Sequence, residues 1–435
     1  MRILERVAAV KSVHWFFFIW ALSLTVSLSV GFAASFRSSP SILDADELEY
    51  YVMAGQILDG SFQVHPRRTL GFPLVLAGIR GMYDNIIFIQ VVITLLSSLA
   101  SPLLFLVTRK LTRSSIVGAL AGLAFAFWPS AVFFGTSLYS ETVALPAFLM
   151  FLYLLPVGSR VSGAHVGSVP ALGVAVAAGL MLGLTTHIRT MYLLFVPFAI
   201  LIFLLEERSF RVAAKRASVF LLAFVSLIAP WSIYMTYQFD RPILVTSNGG
   251  ETLAGGLNPR LFELDEQQDT VLAKRRAWNG PGKWLPYSET KYLSDSELKL
   301  RYDELDGLLR ARTLNWIQEN PKEAGALQLY KLGYMWGLYP WDRNDWRQTL
   351  FGNAPVLAIL LITVLGFASS ARARLGLARL WVLPVFVSGV ALISWGSWRF
   401  RQPADAAMLA FCVIVLSWYA SRSYRLRQVT SPETT

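Results

Sequence analysis

Residues 41–60 read SILDADELEYYVMAGQILDG and place four acids, Asp44, Asp46, Glu47 and Glu49, within six positions. A positioned carboxylate can take a proton from a hydroxyl or hold a cation. Apolar Leu48, Tyr51, Val52, Gly55 and Leu58 recur at helical spacing, so the acids stand at the start of a helix. Asp44 suits the N-cap, Glu47 three positions on completes a capping box, and Gly60 suits the stop. Asp46 then falls on the second helical position, where free N–H groups and the helix dipole favour an anion. A solvated helix start accounts for one or two acids, not four. An oxygen-rich set also suits magnesium, manganese or calcium, yet nothing in the spacing demands a metal, and no cofactor is expected.

The cations are arginines. In HPRRTLGFPLVLAGIRGMY, Arg67 and Arg68 precede a short apolar helix. Snorkelling to lipid headgroups and bidentate capture of a phosphate both fit them. Arg189 has no acid among its immediate neighbours, and Arg399 and Arg401 flank Phe400. An arginine near the membrane boundary is costly unless paired, so binding of a phosphate and snorkelling both remain open. Glu141 opens an apolar run, as a helix-start acid or as a site residue. His14, His65, His165 and His187 are scattered and form no ligand pair, and the single cysteine, Cys412, excludes a cysteine metal cluster or an internal disulfide. No G-x-G-x-x-G stands between a strand and a helix.

These residues must be held by membrane helices. Over half of the 435 residues are apolar and 15% are charged, against about a quarter charged in a soluble domain. Apolar runs recur at about 13–34, 86–107, 116–134, 142–157, 169–186, 190–205, 217–237, 352–370, 380–397 and 404–420. Most approach the roughly twenty residues that cross a 30 Å hydrocarbon core, and their prolines are tolerated there. The expected fold class is therefore all-α and polytopic, with about ten transmembrane helices.

The Lys and Arg clusters set the orientation. Arg2, Arg6, Lys11, Arg109, Lys110, Arg113, Arg160, Arg208, Arg211, Lys215, Arg216, Arg372, Arg374, Arg379, Arg422, Arg425 and Arg427 all fall on one side if both termini are cytoplasmic. The net charge of +11 then reflects cytoplasmic loops, and no nucleic-acid partner is expected. All the candidate site residues fall on the outer face, in a multi-pass protein of a bacterial inner or plasma membrane. The expected layout is a catalytic module at 1–237 with a first outer loop at 35–85, a large and partly helical outer region at 238–350, and further membrane helices with a cytoplasmic tail at 351–435. The stretch 326–340 reads as an interfacial helix with an aromatic belt. Gly249-Gly250 and Gly255-Gly256 around Glu251 read as turns or as a loop that closes over substrate.

In order, several segments resemble the GT-C superfamily of membrane glycosyltransferases, among them the protein O-mannosyltransferases and the lipid A aminoarabinose transferases. They are Asp46-Glu47-Leu48-Glu49-Tyr50, Arg68-Thr69-Leu70-Gly71-Phe72-Pro73 with Leu70 in place of a usual proline, Trp128-Pro129 with Ser137–Glu141, Gly183–Arg189, Ala229-Pro230-Trp231 with Arg241-Pro242, Trp316–Pro321, and Arg399-Phe400-Arg401-Gln402-Pro403. The resemblance covers most of the chain. It implies a polyprenyl-phosphate sugar donor, a lipid, glycan or protein acceptor, and Asp46 as catalytic base, with Asp44 and Glu47 beside it. Arg68, Glu141, Arg189, Arg399 and Arg401 would then serve substrate binding. One carboxylate and one displacement predict inversion at the sugar carbon. A lipid-linked oligosaccharide ligase or polymerase, and a transporter or flippase of a lipid-linked sugar, are the competing classes. The early Asp-Glu segment argues against the ligase, and the lack of two matching halves argues against the transporter.

Overall fold

The computed structural model describes residues 11–43, 45–156, 169–207, 209–257, 296–336, 354–369, 378–394 and 396–430. Asp44, Arg2, Arg6, Arg160, His165, Arg208, Arg372 and Arg374 lie outside them. The described residues are helical, with no strand.

Each apolar run expected from the sequence is a helix. In chain order these are α1 (Ser12–Val30), then, after α2 (Ala45–Leu58) and α3 (Gly71–Met82), α4 (Ile86–Ser97) with α5 (Ala100–Thr112). Next come α6 (Ser115–Ala126), the short α7 (Pro129–Phe134), α8 (Glu141–Leu154), α9 (Val169–Ile188), a 3-10 turn (Thr190–Phe195) with α10 (Val196–Glu206), and α11 (Phe210–Phe239). After the region 238–350 come α15 (Ala354–Ser369), α16 (Ala378–Ile393) and α17 (Gln402–Thr430). Four segments, Ser12–Ser35, Ile86–Thr112, Phe210–Phe239 and Arg399–Ser421, are long and apolar enough to cross a bilayer, and the other runs form shorter apolar helices. Leu222 and Ile233 on α11 stay exposed while Phe220, Phe224 and Ile228 are buried, as expected of a helix with one face on the bundle and one on lipid.

The bundle core is aromatic. Phe148, Phe151, Tyr192, Phe195, Phe220 and Phe386 interlock, with Phe148 and Phe195 edge to face at 5.0 Å between ring centroids. Small residues let α9 and α11 approach closely: a Cβ on Gly179 would lie 2.3 Å from the Phe220 carbonyl oxygen.

Two of the basic residues expected on one side, Lys110 and Arg379, meet at one end of the bundle. At one end of the bundle, Lys110 donates to the carbonyls of Tyr153 (2.5 Å) and Leu155 (3.0 Å). Arg379, from far along the chain, donates to Leu152 and Leu155 (both 3.1 Å) and to Pro156. The two cations thereby satisfy the last carbonyls of α8. At the opposite end, Gln90 exchanges hydrogen bonds with the backbone of Arg37.

The region 238–350, expected on the outer face, contributes α12 (Gly249–Gly256), α13 (Tyr302–Glu319) and α14 (Pro321–Met335). The glycines around Glu251 were expected in turns or a closing loop, and instead they build α12. Their service is close packing: a Cβ on Gly250 would meet the Asp306 carbonyl oxygen at 1.8 Å, and one on Gly256 would meet that of Ser394 at 2.3 Å. The helix expected near 326–340 is α14, whose described part ends at Met335. It buries Leu327, Lys331 and Met335 and leaves Leu329 exposed. Lys331 donates to the carbonyls of Leu392 (3.2 Å) and Ser394 (2.9 Å) at the end of α16.

Candidate active site

The acids of α2 are oriented by the turn before α8. Glu47, buried, accepts the Leu138 N–H at 2.9 Å, and Tyr50 donates to Ser140 at 3.4 Å while its ring meets Phe72 edge-on. Asp46, one residue earlier, therefore faces the ends of α8, α9 and α17. Arg68 is set by the segment that follows it. The Thr69 hydroxyl donates to the His187 carbonyl, and Gly71 approaches that carbonyl so closely that a Cβ would lie 2.4 Å away. Only glycine permits that approach, and it brings Arg68 beside the end of α9, just before Arg189. Arg399 sits in a 3-10 turn, Trp398–Arg401, capped by Ser397, whose hydroxyl accepts the Arg399 N–H.

These side chains form one continuous string of opposite charges. Arg68 Nη2 lies 2.7 Å from Asp46 Oδ1, and Arg399 Nη2 lies 2.8 Å from Asp46 Oδ2. Arg399 Nε also stands 2.8 Å from Glu141 Oε1, and the other Glu141 oxygen is 2.6 Å from Arg189 Nη1. Arg189 Nη1 donates to Ser140 at 2.9 Å. In the other direction, Arg68 pairs with Glu49 (2.7 Å), Glu49 with Arg67 (3.3 Å), and Arg67 with Glu251 of α12 (2.8 Å). Glu251 accepts the Tyr302 hydroxyl from α13. The string thus runs from α12 and α13 to the start of α8 and the end of α9.

Aromatic rings cover the cations. Arg399 lies 4.3 Å from the Tyr139 ring centroid, Arg189 lies 4.6 Å from that of Phe400, and Arg68 lies 5.0 Å from that of Tyr50. Burial alone would raise the Asp46 carboxyl, but Arg68 and Arg399 outweigh it and hold its pKa far below the ordinary carboxylate range. Burial works against the Arg68 charge, and Tyr50, Asp46 and Glu49 outweigh it, so its pKa rises. A cavity of about 10 Å³ remains between Glu141, Arg189, Arg399, Phe400 and Gln402, room for about one water. An anion that binds these guanidinium groups must therefore displace a carboxylate.

Of the residues singled out in the sequence, Asp46, Arg68, Glu141, Arg189 and Arg399 converge. Glu47 stands beside them as a tether to Leu138. Asp44 lies outside the described residues. Arg401 is not in the cluster: it is buried on the other side of its turn and pairs with Asp405 at 2.8 Å. Its charge is spent there because α17 carries an acid four positions later, on the same helical face. The reading of Arg189 as a cation without an acid holds only for its sequence neighbours, since Glu141 reaches it from the start of the adjacent helix. The ring of Tyr139, two positions before Glu141, and that of Phe400, between two arginines, are site residues that the sequence marks only by their nearness to charge at a helix end.

Among the described residues no three acids, histidines or cysteines converge on a point that could hold a metal. Both oxygens of Asp46 and of Glu141 already face guanidinium groups, a setting that suits an anion rather than a cation.

Comparison with solved structures gives the architecture. The oligosaccharyltransferase AglB of Archaeoglobus fulgidus, solved with an inhibitory peptide and a dolichol-phosphate, aligns with 97% of this chain and 52% of its own, with a TM-score of 0.53 and 14% identity. The chain shares the helical membrane fold of AglB. A second AglB structure, a complex with Zn and sulfate, aligns with 93% of this chain and 49% of its own, with a TM-score of 0.52 and 13% identity. The chain therefore spans about half the length of AglB. ArnT from Cupriavidus metallidurans, bound to undecaprenyl phosphate, aligns with 97% of this chain and 82% of its own at 13% identity, but its TM-score of 0.40 is too low for a comparison of sites. No protein-family model matches the chain, and no curated protein matches it in sequence.

Proposed function

We propose that this GT-C chain is an inverting glycosyltransferase that moves a sugar from a polyprenyl-phosphate donor to an acceptor hydroxyl at the outer membrane face. The observation that carries this reading is the bracketing of Asp46 between Arg68 and Arg399, with Arg189 one carboxylate away. A carboxylate for the proton and guanidinium groups for the phosphate occupy one cluster. AglB, of like fold, was solved with a dolichol-phosphate, a lipid phosphate of the class proposed.

In this reading the acceptor oxygen attacks the anomeric carbon from the face opposite the phosphate. A new C–O bond forms, the bond to the phosphate oxygen breaks with its electron pair, and the hydroxyl proton passes to Asp46. The arginines stabilise the charge that grows on the departing phosphate. Held by two arginines, Asp46 is a poor base at rest. A phosphate that draws Arg399 or Arg68 away removes positive charge from Asp46 and strengthens it, so donor arrival prepares the base.

A transporter would use the same arginines, but it needs ionisable groups along a path through the membrane. The string of charges here runs outward, from Glu141 to Glu251. The deciding experiment supplies purified protein with a radiolabelled polyprenyl-phosphate sugar and an acceptor. Release of free polyprenyl phosphate, lost in Asp46→Asn, is expected. Donor movement between leaflets without bond cleavage would replace transfer with transport.

A further inference from the structure

The four-residue turn Trp398–Arg401 faces two ways. Arg399 points to Asp46 and Glu141. Arg401, 2% exposed, points away into a pocket with Asp405, which is 0% exposed. Every oxygen of Asp405 is engaged. Oδ1 takes the Arg401 Nε–H at 2.8 Å, and Oδ2 takes the Trp128 indole N–H at 2.9 Å and the Ser130 hydroxyl at 3.0 Å. Arg401 also donates to the Met335 carbonyl, the end of α14, and lies 6.0 Å from the Trp336 ring centroid. Next in sequence, Gln402 donates to the Ser130 carbonyl at 3.5 Å. One buried ion pair therefore joins α17, the junction of α6 with α7, and the outer helix α14.

A buried pair of this kind is weak evidence for stability, because desolvation offsets most of its attraction, and a specific geometry is its best-attested service. The geometry in question is adjacent. Between the two arginines, the Phe400 ring lies 4.6 Å from Arg189 and 5.2 Å from Arg399. The turn cannot rotate to relax Arg401 without moving Phe400 and withdrawing Arg399 from both carboxylates.

We infer that Asp405 is a positioning residue: through Arg401 and the turn it fixes the guanidinium of Arg399 in the phosphate-binding cluster. The inference rests on the donor reading above for its consequence, though not for its geometry. Two measurements on the full-length protein in nanodiscs keep the two apart. The first is phenylglyoxal labelling of arginines followed by mass spectrometry. In Asp405→Asn the labelling of Arg399 should rise at least about fivefold, while that of Arg310, half-exposed on α13, stays unchanged. Unchanged labelling of Arg399 in a folded Asp405→Asn protein overturns the inference, whatever the donor does.

The second measurement is binding of undecaprenyl phosphate. Asp405→Asn should weaken it about tenfold in the native background and not further in Arg399→Ala, because the effect passes through that one side chain. The same loss in both backgrounds would mean a general structural defect and would overturn the inference. No binding by the native protein would overturn the donor reading instead and leave the labelling to decide. Asp405→Asn leaves Arg401 buried without its counter-ion and could unfold the protein. Trp128→Phe, which removes one hydrogen bond to Asp405, is the milder variant and should raise Arg399 labelling about twofold; no rise in that folded variant counts against the inference equally.

Discussion

Arg399 reaches Asp46 across 353 positions of sequence and ends with its Nη2 2.8 Å from Asp46 Oδ2. The Nε of the same guanidinium lies 2.8 Å from Glu141 Oε1. One arginine from the last third of the chain thus ties together two acids from the first, and the electrostatics of the cluster depend on where it points.

Asp46→Asn keeps the size and helix position of the side chain but cannot take a proton. Turnover should fall by about 10²–10⁴ with donor binding retained. Glu47→Gln keeps an acceptor for the Leu138 N–H and should cost less than about tenfold. Steady-state rates on both variants decide the matter; equal mild losses would remove Asp46 from the role of base.

Glu141 occupies with its two oxygens the guanidinium groups that a phosphate would use. Glu141→Gln should therefore tighten binding of undecaprenyl phosphate by about three- to tenfold, measured by titration in nanodiscs. Arg189→Ala should weaken it, and Arg189→Lys should restore little, because a point charge does not replace a fork. An unchanged affinity in folded Arg189→Ala would return that arginine to the role of lipid anchor.

The apolar runs are legible in the sequence because span length is read directly from composition, and the Lys/Arg asymmetry assigns the candidate residues to ends of the bundle. Asp46, Arg68, Glu141, Arg189 and Arg399 follow as a set once those ends are assigned. Which arginine meets which acid is not legible. That Glu141 faces Arg189 and not solvent depends on the rotation of α8 and α9, which their uniformly apolar sequences leave unmarked. Arg399 and Arg401 look alike in sequence, and only the packing of α17 sends one to the cluster and the other to Asp405. The glycines around Glu251 misled for the same reason, since a helix packed at backbone distance and a turn both ask for the smallest residue.

Lys331 gives a pH signature. Burial lowers its ammonium from 10.5 to about 7, and it donates to the backbone carbonyls of Leu392 and Ser394. Between those values the unfolded chain holds the proton that the folded chain lacks, so stability should rise as pH increases from 7 toward 10. The contribution is on the order of a few kcal/mol. Thermal unfolding of the native protein should show this rise relative to Lys331→Met. Parallel profiles would show that Lys331 stays charged in the fold.

The orientation is open to a direct check. A reporter fused after Lys215 should read cytoplasmic, and one fused near Lys299 should read external. The opposite result would place Asp46 and its arginines on the cytoplasmic side and out of reach of an external acceptor.

Helix α8 is held at both ends: Glu141 by Arg189 and Arg399 at the start, and the carbonyls of Leu152, Tyr153 and Leu155 by Lys110 and Arg379 at the finish. Its 14 residues span about 21 Å. A helix fastened in this way acts as a tie rod. It cannot stretch or slide, so the height of the charged cluster is gauged from the opposite membrane surface. A bilayer of the wrong thickness has to be met by tilting the bundle or deforming the lipid. Activity in vesicles of graded acyl-chain length should therefore pass through a maximum, and a flat profile would show that the cluster takes its depth from the nearer headgroups instead.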